Sequence, residues 1–249
     1  MISLNHISKV FNRAKENEVT ALSEISLQIQ SGEFAIIVGS NGSGKTTLLN
    51  IIEGAEKPSS GTVQFNGNYV TDLPEYKRSR WVARVFQNPN NGTAPDLTIL
   101  DNFRLAALRT KTKSLKIGTD AAFSKKVKEK IAVLGMGLEN KITRPMGELS
   151  GGQRQALTLL MSVMDDTDIL LLDEPTAALD PKSALVVLNL AEKLNADFGM
   201  TTILITHNLK DAVRYGNRLL QMHEGRIVQD LSASSKRTLQ LQDVYKWFE

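Results

Sequence analysis

The sequence contains no cysteine. Disulfides, thiolate nucleophiles and cysteine-held metals are therefore excluded, and a reducing cytoplasm fits the chain. No stretch approaches the roughly 18 apolar residues of a membrane-spanning helix. The first residues, Met1-Ile2-Ser3-Leu4-Asn5-His6, lack the charged start and apolar core of a signal peptide. There is no internal repeat, no low-complexity segment and no heptad run. Net charge is +3, too mild to argue for nucleic acid. Two basic clusters exist, Lys77, Arg78, Arg80 and Arg84, then Lys125, Lys126, Lys128 and Lys130. The second lies in a helix-like stretch without interleaved aromatics and reads as a solvated face, not a single-strand binding platform.

What remains is an ordinary globular balance, 41% hydrophobic and 23% charged over 249 residues, enough for one large domain or two small ones. Its most informative stretch is Gly39-Ser40-Asn41-Gly42-Ser43-Gly44-Lys45-Thr46, which reads GxxxxGKT. An apolar run, residues 34–38, precedes it. A helix-like segment from Thr47 to Ile52 follows. Glycines let backbone N–H groups turn inward, and those groups with the helix N-terminus form a concave anion site. Lys45 is placed to reach the β- and γ-phosphates of a nucleotide, and the Thr46 hydroxyl to reach Mg²⁺. A Gly/Ser loop that merely turns would not need strand, Lys and Thr in this register.

The rest of the chain alternates between two textures. Residues 2–30 alternate in strand fashion, most clearly at Ile25, Leu27 and Ile29, which suggests half-buried antiparallel strands. Residues 62–65 and 68–70, joined by Asn66-Gly67, read as a hairpin with a type I′ turn. A short strand at 82–86 leads to Gln87. Asn, Pro and Gly then dominate from 88 to 95, marking a loop or subdomain boundary. Helical apolar spacing appears over 98–109 and 120–134, with a polar stretch 110–119 expected as a loop. Ser150 is a plausible N-cap for a helix running to Met164. A helix is expected over 181–198, a strand over 201–206, a strand pair near 218–222 and 226–228, and a short helical tail over 234–248.

Two strand ends carry chemistry. The run from Asp168 to Leu172 ends in Asp173-Glu174-Pro175, as a strand buried on both faces would. Asp173 would hold Mg²⁺ directly or through water, and Glu174 would polarise the attacking water as general base. His207 ends the second apolar run, 203–206, and could hydrogen-bond a γ-phosphate. A lone histidine after a strand is more often structural, and only the neighbouring motifs reverse that reading.

Taken together these residues resemble the ATP-binding cassette (ABC) ATPases. Leu149-Ser150-Gly151-Gly152-Gln153 matches the family's signature motif, and Gln87 stands at its Q-loop. Ile169 to Glu174 match the Walker B motif with its catalytic glutamate, Ala178-Leu179-Asp180 the D-loop, and His207 the switch histidine. All six motifs, the P-loop included, follow the family's order over nearly the whole chain. The resemblance implies an α/β fold. It would be a P-loop NTPase (RecA-like) core, about 1–88 and 166–231, that includes an antiparallel β subdomain. A helical signature subdomain, about 89–165, and a C-terminal tail, about 232–249, would complete a single domain of 249 residues.

The resemblance further implies catalytic roles for Glu174, His207, Lys45 and Gln87. ATP would contact Gly39 to Thr47, including Thr47 itself, and Gln87. In a head-to-tail dimer with a second copy or a paralogous cassette it would also contact Ser150, Gly151, Gly152, Gln153 and Asp180. Mg²⁺ would be held by Thr46, Gln87 and Asp173. An aromatic residue ahead of the P-loop would stack on adenine. Phe11 is the candidate, against the reading of a core or edge phenylalanine. Gln87 would couple the site to transmembrane permease subunits, with the contact near 88–104. The chain would then sit on the cytoplasmic face of the cell membrane.

Cassettes of this size without a long regulatory domain are similar to bacterial uptake systems. Residues 85–95 and 159–164 resemble cassettes of tryptophan/tyrosine-type permeases, which would work with an extracellular solute-binding protein. A soluble family member acting on ribosomes or DNA is the alternative; such proteins usually carry two cassettes or a long coiled coil. A silent binding module is opposed by Lys45, Glu174 and His207. A P-loop GTPase is opposed by the missing Asn-Lys-x-Asp pattern, which residues 140–143 do not supply.

Overall fold

A computed structural model describes residues 1–109, 119–165 and 167–248. The polar stretch expected as a loop lies outside them except for Thr119.

The centre is a six-stranded sheet. Its members, in spatial order, are β10 (Arg226–Leu231), β9 (Arg218–His223), β3 (Phe34–Val38), β8 (Thr201–Ile205), β7 (Ile169–Asp173) and β6 (Val82–Val85). Five strands run parallel and β10 is antiparallel to β9. β3, β7 and β8 are buried at every residue because both faces of the sheet are covered. The alternation along β3 shows this directly. Phe34, Ile36 and Val38 enter one core cluster, and Ala35 and Ile37 enter the other.

A second, four-stranded antiparallel sheet covers one face. Its order is β2 (Val19–Ile29), β1 (Ile2–Phe11), β4 (Ser60–Phe65) and β5 (Asn68–Tyr69). Ile25, Leu27 and Ile29 point into the core between the sheets while Ser26, Gln28 and Gln30 face solvent, as the alternation predicts. Asn66 and Gly67 both have positive φ, 49° and 81°, as a type I′ hairpin turn requires. Helix α1 (Lys45–Glu53) shares this core through Leu48, Leu49, Ile51 and Ile52.

The other face is covered by helices. These are α3 (Ile99–Ala106), α4 (Ala121–Ala132), α5 (Gly151–Ser162) and α6 (Pro181–Phe198). Short 3-10 turns at 138–140 and 146–148 complete the largely helical segment expected over 90–165. Helix α5 stops at Ser162, two residues short of the expected end. Two short helices carry too few periodic residues to be seen in the sequence, α2 (Glu75–Arg78) and α7 (Leu209–Arg214), while α8 (Ala233–Arg237) lies in the expected helical tail. The tail is α8, α9 (Leu241–Tyr245) and a closing 3-10 turn rather than one helix. On α4, Lys125, Lys126 and Lys128 are exposed, as a solvated face predicts, while the Lys130 ammonium lies 5.4 Å from the Phe198 ring centroid. Among the described residues no helix is long and apolar enough to cross a membrane.

Candidate nucleotide site

Parallel strands bring their C-terminal ends to one edge, where ligands bind in open α/β sheets. The register fixes which residues meet there. Ile37 pairs with Ile205, Asp173 with Ile205, and Val85 with Leu172. Gly39, Glu174, His207 and Gln87, one to two residues beyond these strand ends, therefore share that edge.

The loop between β3 and α1 is tied to its surroundings by backbone. Ser43 N donates to Ser40 O at 3.1 Å, Gly225 N to Ser43 O at 3.1 Å, and Ser23 N to Gly225 O at 2.9 Å. The antiparallel sheet and the β9–β10 hairpin thus both brace it. Gly44 has φ +96°, and a Cβ there would lie 2.4 Å from Ala21 O, so no other residue fits. Gly44 also gives α1 an N-cap without a side-chain hydrogen bond. By contrast α3, α4, α5, α6 and α7 are capped by Thr98, Asp120, Ser150, Asp180 and Asn208. The first N–H groups of α1 stay free of side-chain acceptors, which makes that terminus an anion site.

Lys45 is 6% exposed. Its ammonium donates to Gly39 O at 2.8 Å and Ser40 O at 2.9 Å, lying along the loop. Burial lowers its pKa, and Glu174 and Asp173 pull it back up. The Thr46 hydroxyl donates to Asp173 Oδ1 at 3.4 Å. This pair of hard oxygens suits Mg²⁺. No cluster of three or more acidic, histidine or cysteine side chains that could hold a metal occurs among the described residues. The hydroxyl and carboxylate suit an ion that completes its shell with phosphate and water, as Mg²⁺ does.

Glu174 adopts φ 47°, an unusual left-handed conformation for a glutamate. Such backbone cost concentrates at functional sites. Its N–H donates to Ile205 O at 3.0 Å, and its Oε2 lies 3.1 Å from His207 Nδ1. The two strand-end residues therefore form a hydrogen-bonded pair across β7 and β8, the geometry of a base and its orienting partner. Gln87 is exposed, two residues beyond the end of β6. Phe11 is half-buried, with the Lys9 ammonium 4.7 Å from its ring centroid. It pairs with Val19, two residues along β2 from the Ala21 carbonyl that abuts Gly44.

The signature residues lie elsewhere. Ser150 Oγ accepts from Gln153 N, and the Gln153 side chain accepts from Ser150 N, a capping box that opens α5. A Cβ on Gly152 would lie 2.4 Å from the Ser183 Cβ, so glycine lets α5 and α6 meet at their N-termini. Asp180 caps α6, accepting from Ser183 Oγ at 2.6 Å. The Ser183 hydroxyl bond leads the causes that lower its pKa. Among the described residues no hydrogen bond joins residues 150–153 to residues 39–47.

Several site neighbours escaped the sequence. Arg84 donates to Asp173 Oδ2 at 2.6 Å, Glu53 Oε2 at 2.7 Å and Asn50 Oδ1 at 2.7 Å. Burial alone would lower its pKa, but the bonds to Glu53 and Asp173 outweigh burial and raise it. Losing one partner of such a buried pair costs about 3–5 kcal/mol. Arg78 is fully buried and donates to Ile51 O and Ile52 O at 2.6 and 3.0 Å, closing the C-terminal end of α1. Burial lowers its pKa to about 10. The basic cluster 77–84 is thus split: Arg84 reaches the nucleotide edge from inside, and Arg78 braces the far end of α1. Phe248 in the tail lines a cavity of about 260 Å³ with Gly39, Ser40, Asn41 and His207. A positively charged run signalled Arg78 and Arg84; their buried placement had no sequence signal.

A glycine loop between a buried parallel strand and a helix with a side-chain-free cap, flanked by a hydroxyl–carboxylate pair, defines a P-loop nucleotide-binding protein. Comparison with known proteins narrows this. Residues 22–177 match the family described as ABC transporter. The tyrosine transport ATP-binding protein of Clostridioides difficile (strain R20291) is 39% identical over 249 residues, 100% of this chain and 99% of that protein. A methionine import ATP-binding protein of Latilactobacillus sakei subsp. sakei (strain 23K) is 34% identical over 92% of this chain and 64% of its own length. Among solved structures, a dimeric ATP-binding cassette in a post-hydrolysis state with ADP and Pi has a TM-score of 0.80 at 30% identity. It covers 94% of this chain and 99% of its own. The chain belongs to the ABC transporter family, as an ATP-binding subunit that hydrolyses ATP to drive transport. Cassettes of this family dimerise and work with transmembrane permease subunits.

Proposed function

We propose that this chain powers bacterial uptake of a small solute of the amino-acid class, bound to permease subunits at the cytoplasmic face of the membrane. The observation that carries the catalytic part is the Glu174–His207 pair, 3.1 Å apart, on the same sheet edge as Lys45 and Asp173. Glu174 takes the proton of the attacking water. His207 orients Glu174 and, when doubly protonated, has its Nε2–H left to donate to a phosphate oxygen. Lys45 exchanges its two loop carbonyls for phosphate oxygens. Gly39 to Thr47 surround the phosphates with N–H groups, and Phe11 takes the adenine face. A bound Mg²⁺ would supply charge to offset that developing on the phosphates. Thr46, Asp173 and Gln87 would hold it.

Ser150, Gly151, Gly152, Gln153 and Asp180 serve the ATP of a second cassette. The Ser150 Oγ accepts a bond within its own helix, which leaves its O–H proton to donate to a phosphate. ATP is then sandwiched between two chains, and its hydrolysis separates them. The permease docks near 88–104, where Asn102 fixes the loop by bonds to Ala94 N and O at 2.8 and 3.0 Å. A groove of about 380 Å³ opens there, lined by Thr93, Asn102, Leu105, Thr158 and Met161.

The import and amino-acid reading is supported by the names of the two relatives. An extracellular solute-binding protein would deliver the cargo. Uptake of labelled tyrosine and methionine in cells carrying wild-type or Glu174→Gln chain with its permease tests the assignment. Loss of uptake of either amino acid in the variant is expected. Unaltered uptake of both would refute it.

A further inference from the structure

We infer that Arg84 is a positioning residue that fixes the Walker B carboxylate for its metal. The inference rests on the reading of Asp173 as a Mg²⁺-holding residue. Arg84 lies on the edge strand β6, and its side chain is 6% exposed. One guanidinium nitrogen, Nη2, binds Asp173 Oδ2 at 2.6 Å. The other, Nη1, binds Asn50 Oδ1 and Glu53 Oε2, each at 2.7 Å. Asn50 and Glu53 stand one turn apart on α1, the helix whose first turn carries Lys45 and Thr46. The plane of the fork is further held by the Phe86 ring, 4.9 Å from the guanidinium carbon.

This clasp commits one oxygen of Asp173 and turns the other, Oδ1, toward the Thr46 hydroxyl. A free carboxylate would rotate about its last torsion and offer either oxygen. With Oδ2 taken, Asp173 approaches a metal in one orientation, referenced to the same helix that carries Thr46. A lysine could carry the charge but could not span both carboxylates, because its ammonium is a point donor and not a fork.

The charges allow the geometry to be tested alone. Glu53, Arg84 and Asp173 sum formally to −1 (two carboxylates, one guanidinium). The double variant Glu53→Gln/Arg84→Met leaves only Asp173, again −1, so Mg²⁺ meets the same formal charge without the clasp. Binding of a fluorescent ATP analogue is titrated with Mg²⁺ at pH 7.5, and also measured in EDTA. The clasp predicts that half-saturating Mg²⁺ rises about tenfold in the double variant, the scale of one lost charge-assisted hydrogen bond. Affinity in EDTA should stay within about twofold, a check that the P-loop remains folded. Arg84→Lys should shift half-saturation in the same direction by less. Asp173→Asn reports the metal reading separately. If it raises half-saturating Mg²⁺ while the double variant does not, the Arg84 inference is overturned alone. If neither variant moves it, the metal reading falls and the inference with it.

Discussion

Two helix N-termini in this molecule are built in opposite ways. At α1, Gly44 contributes no side chain, Lys45 is buried, and Asp173, Glu174 and His207 converge from neighbouring strand ends. At α5, Ser150 and Gln153 cap each other, and Gly152 is small so that α6 can approach. The first end is a site where two carboxylates, an imidazole and an ammonium are already assembled. The second has donors and, among the described residues, no carboxylate bonded to them. On the proposed function each chain would carry most of one reaction centre and a fragment of another, which a second chain would complete.

The sharpest way to break this comparison is to remove the base at the assembled end. Glu174→Gln should lower steady-state ATP turnover by about 10²–10⁴-fold, the range for a general base, while ATP still binds. Turnover within a few-fold of wild type would mean that another group takes the proton. Next in size is the other end. Ser150→Arg should abolish the ATP-dependent dimer seen by size-exclusion chromatography, with monomer ATP affinity unchanged within about twofold. A normal ATP-bound dimer in that variant would dissolve the distinction between the two ends. Lys45→Ala removes a buried charge-assisted contact and should weaken ATP binding by about 10–100-fold in a fluorescence titration; an unaltered Kd would displace Lys45 from the phosphates. Gly152→Ala forces a methyl against Ser183 and should cost about 1–3 kcal/mol in urea unfolding, with P-loop affinity intact. No loss of stability would mean that α5 and α6 part freely.

The smallest effect concerns the tail that brings Phe248 to the nucleotide edge. Lys236 is 5% exposed, donates to Gly216 O at 3.0 Å and also bonds Tyr215 O. Burial pushes its pKa from 10.5 down to about 8. Between those values the unfolded chain holds more protons than the folded one, so stability rises as pH climbs from about 8 to 10.5. Thermal unfolding across that window should show a gain on the order of 1–2 kcal/mol in wild type that Lys236→Met lacks. Parallel pH curves for the two proteins would remove Lys236 as its source.

Much of the assembled end was legible because its elements are local. A five-residue apolar strand, a glycine loop and a helix are contiguous over 34–53, and Asp173 and Glu174 directly follow a buried run. The hairpin expected over 62–70 and found over 60–69 was legible because Asn66-Gly67 encodes its own turn. What could not be read was set by contacts across long sequence separations. Arg84 looked like part of a basic run, yet its partners lie 31 to 89 residues away. The pairing of His207 with Glu174 depends on β7 and β8 being neighbours, which strand texture alone does not specify. Helix α7, six residues long, is too short for a periodic signal and is held by the Asn208 cap.

The central claim is that the signature end of α5 serves the ATP of a second chain. Its most direct test is the mass of the Glu174→Gln protein by light scattering, with and without ATP. The two-ended construction predicts a monomer without ATP and a doubled mass with it, lost again when Ser150→Arg is added. A mass that stays at one chain at saturating ATP would contradict the composite site as a property of this chain paired with itself.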